Sequence, residues 1–139
     1  MESADIAQLA HLLENSYCSY SQIRVSSIVE CKDVTRQTGV NVENASYTLT
    51  ACAESAAIFA AVAAGMKKGY VKKIFIYSDS VPTITPCGAC RQIMSEFSNE
   101  DTRIYTCTKN GKVCEHSISQ LLPFSFPLQS RESQQCTKH

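Results

Sequence analysis

Glu54 stands two residues after Cys52, and Cys87 three residues before Cys90, in the segments Thr50-Ala51-Cys52-Ala53-Glu54 and Thr85-Pro86-Cys87-Gly88-Ala89-Cys90. Thiols three apart on a helix lie on one face, a turn apart, within reach of one metal ion. Cys52 is the third ligand in this reading. Both segments open stretches that read as helices, and the positive end of a helix favours the thiolate that binds metal. Three protein ligands leave one tetrahedral position open, the pattern of a catalytic zinc and not of a closed structural one. The open position takes water, whose pKa zinc lowers towards ~7. Hydrolysis then needs a group to move protons, and Glu54 is close by without being needed as a ligand. Positions two apart point to different sides inside a helix, so Cys52 and Glu54 share the metal only if they sit at the first turn.

Each piece also has a plainer reading. A C-x-x-C pair can be a redox couple, half of a structural zinc site or two core thiols. Glu54 alone can be a solvated helix residue. The eight cysteines, at 18, 31, 52, 87, 90, 107, 114 and 136, could form a disulfide framework. That fits poorly with a chain long enough to bury a core without staples and with an acidic N-terminus unlike a secretory signal. Cys107 and Cys114 form no further tight pair. It is the combination of C-x-E with P-C-x-x-C that is specific.

The elements that must carry these residues follow from periodicity. Ile6, Leu9, Leu12 and Leu13 predict an amphipathic helix over 3–16. Two β-like runs follow, Ile23–Glu30 and about Thr35–Val42, joined by a polar Lys32–Asp33 turn. Thr50–Ala64 is alanine-rich and helical, with Gly65 placed to end it. Lys72–Ser78 reads as a buried strand. Thr85 and Pro86 are placed to cap and start a helix that runs to about Phe97. Arg103–Cys107 is a further strand and Ser117–Leu121 a short helix. This order predicts an α/β layered sheet covered by helices, in a single domain over 1–128 with a polar, disordered tail over 129–139.

Thirteen basic and thirteen acidic residues give a formal net charge of zero, which argues against nucleic acid as a partner. No apolar run approaches the ~20 residues of a membrane helix, so a soluble, cytoplasmic protein without a membrane partner is expected.

The chain resembles the zinc-dependent cytidine deaminases of the small free-nucleoside type. The resemblance rests on Asn41–Tyr47 (NVENASY), Cys52–Glu54 (CAE), Pro86–Gln92 (PCGACRQ) and Gln120–Phe126 (QLLPFSF). It implies a three-layer α-β-α fold with a mixed five-stranded sheet flanked by helices. It implies one zinc ion per subunit, zinc-bound hydroxide attacking C4 of cytidine or deoxycytidine, and Glu54 as proton shuttle, in pyrimidine salvage. Asn41 and Glu43 would hold the ribose 3′-hydroxyl, an amide and a carboxylate pairing with its donor and acceptor. Ala53 and Cys87 would offer backbone groups to the base. Family members are homotetramers with shared active sites, and Ala45, Tyr47 and Phe126 are by position the residues borrowed from neighbours, Phe126 stacking on the pyrimidine.

Two departures from the family bear on the site. Ser55 stands where an Arg usually follows the Glu. A guanidinium there offsets the net negative charge of zinc with three thiolates, which leaves Arg91 as the remaining cation near the sulfurs and a more basic zinc-water expected. Ile23 replaces the aromatic beside the base, which predicts weaker stacking. Blasticidin-S deaminase shares the metal motif and also lacks the Arg, and is the nearest alternative. The retained Asn41 and Glu43 favour a ribose-bearing nucleoside. A non-catalytic, zinc-stabilised relative is the alternative from another class, and the retained Glu54 argues against it.

Overall fold

The computed structural model describes residues 1–82 and 84–126. Five strands, β1 (Ser26–Cys31), β2 (Arg36–Val40), β3 (Val71–Ser78), β4 (Arg103–Thr108) and β5 (Val113–His116), pair in the order β2-β1-β3-β4-β5. Helices are α1 (Ser3–Leu12), α2 (Ala53–Ala63), α3 (Gly88–Phe97) and the single turn α4 (Ile118–Leu121). The sheet is mixed: β3 and β4 are parallel, the other pairs antiparallel. This is the expected three-layer arrangement.

The central strand shows why. In β3, Ile74 and Ile76 face one way and pack with Val29, Ala57, Ile58, Met94 and Ile104 beneath α2 and α3. Phe75 and Tyr77 face the other way and pack with Leu9, Leu13 and Ile28 beneath α1. A strand covered on both faces reads as a continuous apolar run, as Ile74–Tyr77 does. At the α1 face, Arg36 lies 5.5 Å above the Phe75 ring and donates to Glu30 (2.5 Å) and Asp5 (2.9 Å). These two carboxylates are thereby buried with a partner.

The helix boundaries differ from the sequence reading in a way that matters. α2 begins at Ala53, not Thr50, and its N-cap is Cys52; α3 begins at Gly88, with Cys87 and not Thr85 as N-cap. Thr50 instead ends a 3₁₀ turn, Tyr47–Leu49. The first β-like run also starts later, at Ser26, so Ile23–Val25 is loop. β5 has no apolar alternation and was not visible in the pattern; its place is set by pairing with β4, Thr106 opposite Cys114. The polar tail lies outside the described residues.

β2 and β3 are each antiparallel to β1, and so run in the same direction. Their C-terminal ends share one edge of the sheet, and the segments that leave them lead to α2 and α3. Both helix N-termini therefore open at that edge. α2 settles on β2 closely: a Cβ on Gly39 would lie 2.3 Å from the Ala53 carbonyl oxygen and 2.5 Å from the Ala57 nitrogen. Only a residue without a side chain fits there.

Candidate active site and metal centre

Cys52, the N-cap of α2, has extended backbone (φ −75°, ψ 153°), as does Cys87, the N-cap of α3 (φ −66°, ψ 165°). An N-cap side chain turns back over the open N–H groups of the first turn. Cys87 does so, its Sγ accepting the Cys90 N–H at 3.4 Å. Cys90 is buried one turn on, at the third helical position. The three sulfurs lie within 4.8 Å of one another, with Cys52 and Cys87 3.8 Å apart. Three soft donors at this spacing, on two helix N-termini, suit a zinc ion. Among the thiols themselves, hydrogen bonding from Cys90 lowers the pKa of Cys52 to about 6 and holds the proton on Cys90, whose own pKa is raised.

Glu54 is the second residue of α2 and 5 % exposed. Because Cys52 lies outside the helix proper, the two side chains are not bound by helical spacing, and both line the same cleft. Burial raises the pKa of Glu54 to about 7, and the neighbouring Cys52 adds to the shift. The carboxyl can therefore both take and release a proton near neutrality.

The cleft is open to solvent on one side and offers a volume of about 220 Å³. Asn41, Glu43, Cys52, Ala53, Glu54 and Cys87 all line it, as do Ile23 and Tyr47. A backbone bridge ties the Asn41–Glu43 segment to the residue before Cys52: Val42 and Ala51 exchange both N–H···O bonds at 2.9 Å. Asn41 and Glu43 are buried and hold the 20–25 loop through their side chains.

Other expected site residues lie elsewhere. Ser55 is buried, and its hydroxyl donates to the Cys52 carbonyl at 2.8 Å. Arg91 donates to the carbonyls of Pro86 (2.8 Å) and Leu121 (2.9 Å). Ala45 and Phe126 do not line the cleft of their own chain. Phe126 is 70 % exposed, with its backbone clamped by the Gln92 amide at 3.1 and 3.3 Å.

Sequence reasoning did not single out Ser21, Val25, Thr50, Ile84 and Thr85, which also line the cleft. Thr50 and Thr85 lay next to the motifs already recognised. Ser21 gave no signal, because a serine in a polar turn is unremarkable until its partner is known.

Residues 2–108 match the family described as the cytidine and deoxycytidylate deaminase zinc-binding region. The chain belongs to this family. It is 40% identical over 113 residues to a cytidine deaminase of Halalkalibacterium halodurans, covering 81% of this chain and 84% of the relative. It is 35% identical over 121 residues to one of Sporosarcina psychrophila, covering 87% and 88%. The solved structure of a cytidine deaminase from Burkholderia pseudomallei superposes with a TM-score of 0.84 at 35% identity, covering 91% of this chain and all of that one. Zinc is the cofactor of this family member, and Cys52, Cys87 and Cys90 are the group placed to bind it. A Bacillus cereus blasticidin-S deaminase is 31% identical over 93 residues, a shorter match covering 63% of this chain.

Proposed function

We propose that the protein hydrolyses cytidine and deoxycytidine to uridine and deoxyuridine, with release of ammonia. The observation that carries this reading is one cleft lined by two of the three clustered thiols, by the buried Glu54 and by the Asn41–Glu43 amide–carboxylate pair. Bound through Cys52, Cys87 and Cys90, zinc supplies the activation of water that the reaction needs. Glu54 takes a proton from the attacking water and gives it to N3 of the pyrimidine. It then moves the second water proton to the departing amino group, which leaves as ammonia, and Glu54 returns to its starting state. The Ala53 and Cys87 backbone holds the base, while Asn41 and Glu43 hold the 3′-hydroxyl and fix the ring against the thiols. Ile23, in place of an aromatic, gives the base an aliphatic wall. Among the described residues, neither Ser55 nor Arg91 makes a hydrogen bond to a ligand sulfur; their bonds go to backbone carbonyls. The two helix N-termini help to offset the thiolate charge.

The assembly proposed is a cytoplasmic homotetramer with shared clefts. Tyr47 and Phe126 are 74 % and 70 % exposed, large aromatic surface that a second copy would cover, with Ala45 beside Tyr47 in the chain. Among the described residues no helix is long and apolar enough to cross a membrane.

The test is loss of ultraviolet absorbance when zinc-loaded protein is mixed with cytidine, deoxycytidine or blasticidin S. Turnover of the two nucleosides, abolished by Glu54→Gln with zinc retained, is expected. Turnover of blasticidin S alone would replace the reading, and turnover of none would remove it. Sedimentation should give four times the mass of one chain.

A further inference from the structure

The Asn41–Glu43 pair is already half occupied by the protein's own hydrogen bonds, and counting them shows what is left for a ligand. A carboxylate has about four lone-pair sites. Glu43 Oε2 accepts two, from the backbone N–H groups of Tyr20 (2.9 Å) and Ser21 (3.1 Å). Glu43 Oε1 accepts the Ser21 hydroxyl. Among the described residues, Oε1 takes no other bond, so one acceptor site remains. Asn41 Oδ1 accepts the Val25 N–H at 2.9 Å, and Nδ2 donates to the Ile23 carbonyl at 2.8 Å. The amide nitrogen has two hydrogens and the oxygen two lone pairs, so one donor remains beside one further lone pair on Oδ1. One acceptor on Glu43 and one donor on Asn41 match a single hydroxyl, which donates once and accepts once.

Ser21 decides which oxygen of Glu43 is left. Its hydroxyl receives the Ile23 N–H at 3.0 Å, which aims its hydrogen at Oε1. The same three bonds keep Glu43 ionised, with the Ser21 hydroxyl the largest contribution to its lowered pKa. We propose that Ser21 is a positioning residue for substrate selection: it orients Glu43 so that one lone pair of Oε1, beside one free hydrogen of Asn41, accepts only a ligand bearing a secondary sugar hydroxyl. The same bonds make the 20–25 loop, which carries Ile23 at the base wall, part of the sugar subsite. This rests on the reading of Asn41 and Glu43 as the sugar-binding pair.

The experiment compares kcat/KM for cytidine, deoxycytidine and 2′,3′-dideoxycytidine in the wild type, Ser21→Ala and Ser21→Thr, with zinc content and thermal midpoint measured for each. Losing one charge-assisted bond predicts a fall of about tenfold for cytidine and deoxycytidine in Ser21→Ala, carried by KM. For dideoxycytidine, already without the hydroxyl, the change should stay within about twofold on the same grounds. Ser21→Thr keeps the hydroxyl and should recover most of the loss. In a Glu43→Gln background, Ser21→Ala should add nothing for cytidine. An equal loss for all three substrates would show a general structural role and overturn the proposal, as would no loss at all. A wild type that turns over cytidine and dideoxycytidine equally well overturns the sugar reading itself, and the role of Ser21 with it.

Discussion

The Sγ of Cys87 accepts the Cys90 backbone N–H at 3.4 Å, so one metal ligand caps the helix that presents another. The cap fixes the Cys87 side chain before any metal arrives, and helix stability and ligand geometry are linked through one atom. Cys87→Ser keeps a hydrogen-bonding cap but replaces a soft donor with a hard one. Zinc bound per chain after dialysis against a mild chelator should fall well below that of wild type, while the helical circular dichroism signal is kept. Cys87→Ala should lose about 1 kcal/mol more of unfolding free energy than the serine variant. If the serine variant holds zinc as wild type does, Cys87 is not a ligand.

Glu54→Gln keeps the shape of the side chain and removes its ability to take a proton. A positioned general acid–base group contributes roughly 10²–10⁴ in rate, and kcat for cytidine should fall by at least that lower figure. Zinc content should be unchanged, since Glu54 is not in the three-sulfur group. A variant with more than a tenth of wild-type kcat would take Glu54 out of the proton path.

Gly39→Ala puts a methyl group within 2.5 Å of two backbone atoms of α2. Backbone cannot rotate away as a side chain does, so α2 must lift from β2. The expected cost is about 1–3 kcal/mol, typical of overpacking in a core. Because the displaced turn carries Cys52 and Glu54, the folded fraction should also hold zinc less tightly. Unchanged unfolding midpoint and chelator resistance would contradict the close contact.

Asp5 should contribute to the loss of stability in acid. Burial opposes its charge, but the Glu2 backbone N–H and the Arg36 guanidinium outweigh burial and hold its pKa below the ordinary carboxylate value. The folded state thus favours the ionised form. That contribution is complete above the unfolded pKa of ~4 and is lost as pH falls through the lower folded value. The difference in urea midpoint between wild type and Asp5→Asn should be flat from pH 7 to about 5 and shrink below about 4. Arg36→Ala removes the shared partner of Asp5 and Glu30, although Lys73 remains 3.7 Å from Glu30. With Arg36 itself partly exposed, a loss of about 1–3 kcal/mol at pH 7 is expected, together with a shallower decline in acid. A variant as acid-sensitive as wild type would place the titrating group elsewhere.

Much of this molecule could be read from the chain alone. Cysteine and glutamate spacing pointed to the three-thiol group and the buried glutamate beside it, because ligand chemistry restricts residue types and the two motifs are local. The Ile74–Tyr77 run identified the central strand, because a strand buried on both faces admits only apolar residues. β5 was hidden, since an edge strand such as Val113–His116 is held by backbone pairing and needs no side-chain pattern. The true helix starts were also hidden: Thr85 and Cys87 are both in position to cap, and only the folded backbone shows which one turns extended. Whether Cys52 and Glu54 could face one cleft depended on that start, as did the convergence of two helices at one sheet edge, which follows from β2 and β3 running the same way. Ser21, Gly39 and Arg91 act through partners 14 or more residues away: Glu43, the α2 backbone of Ala53 and Ala57, and the Leu121 carbonyl. No local pattern encodes such pairs; they exist only once the loops and helices have been brought together.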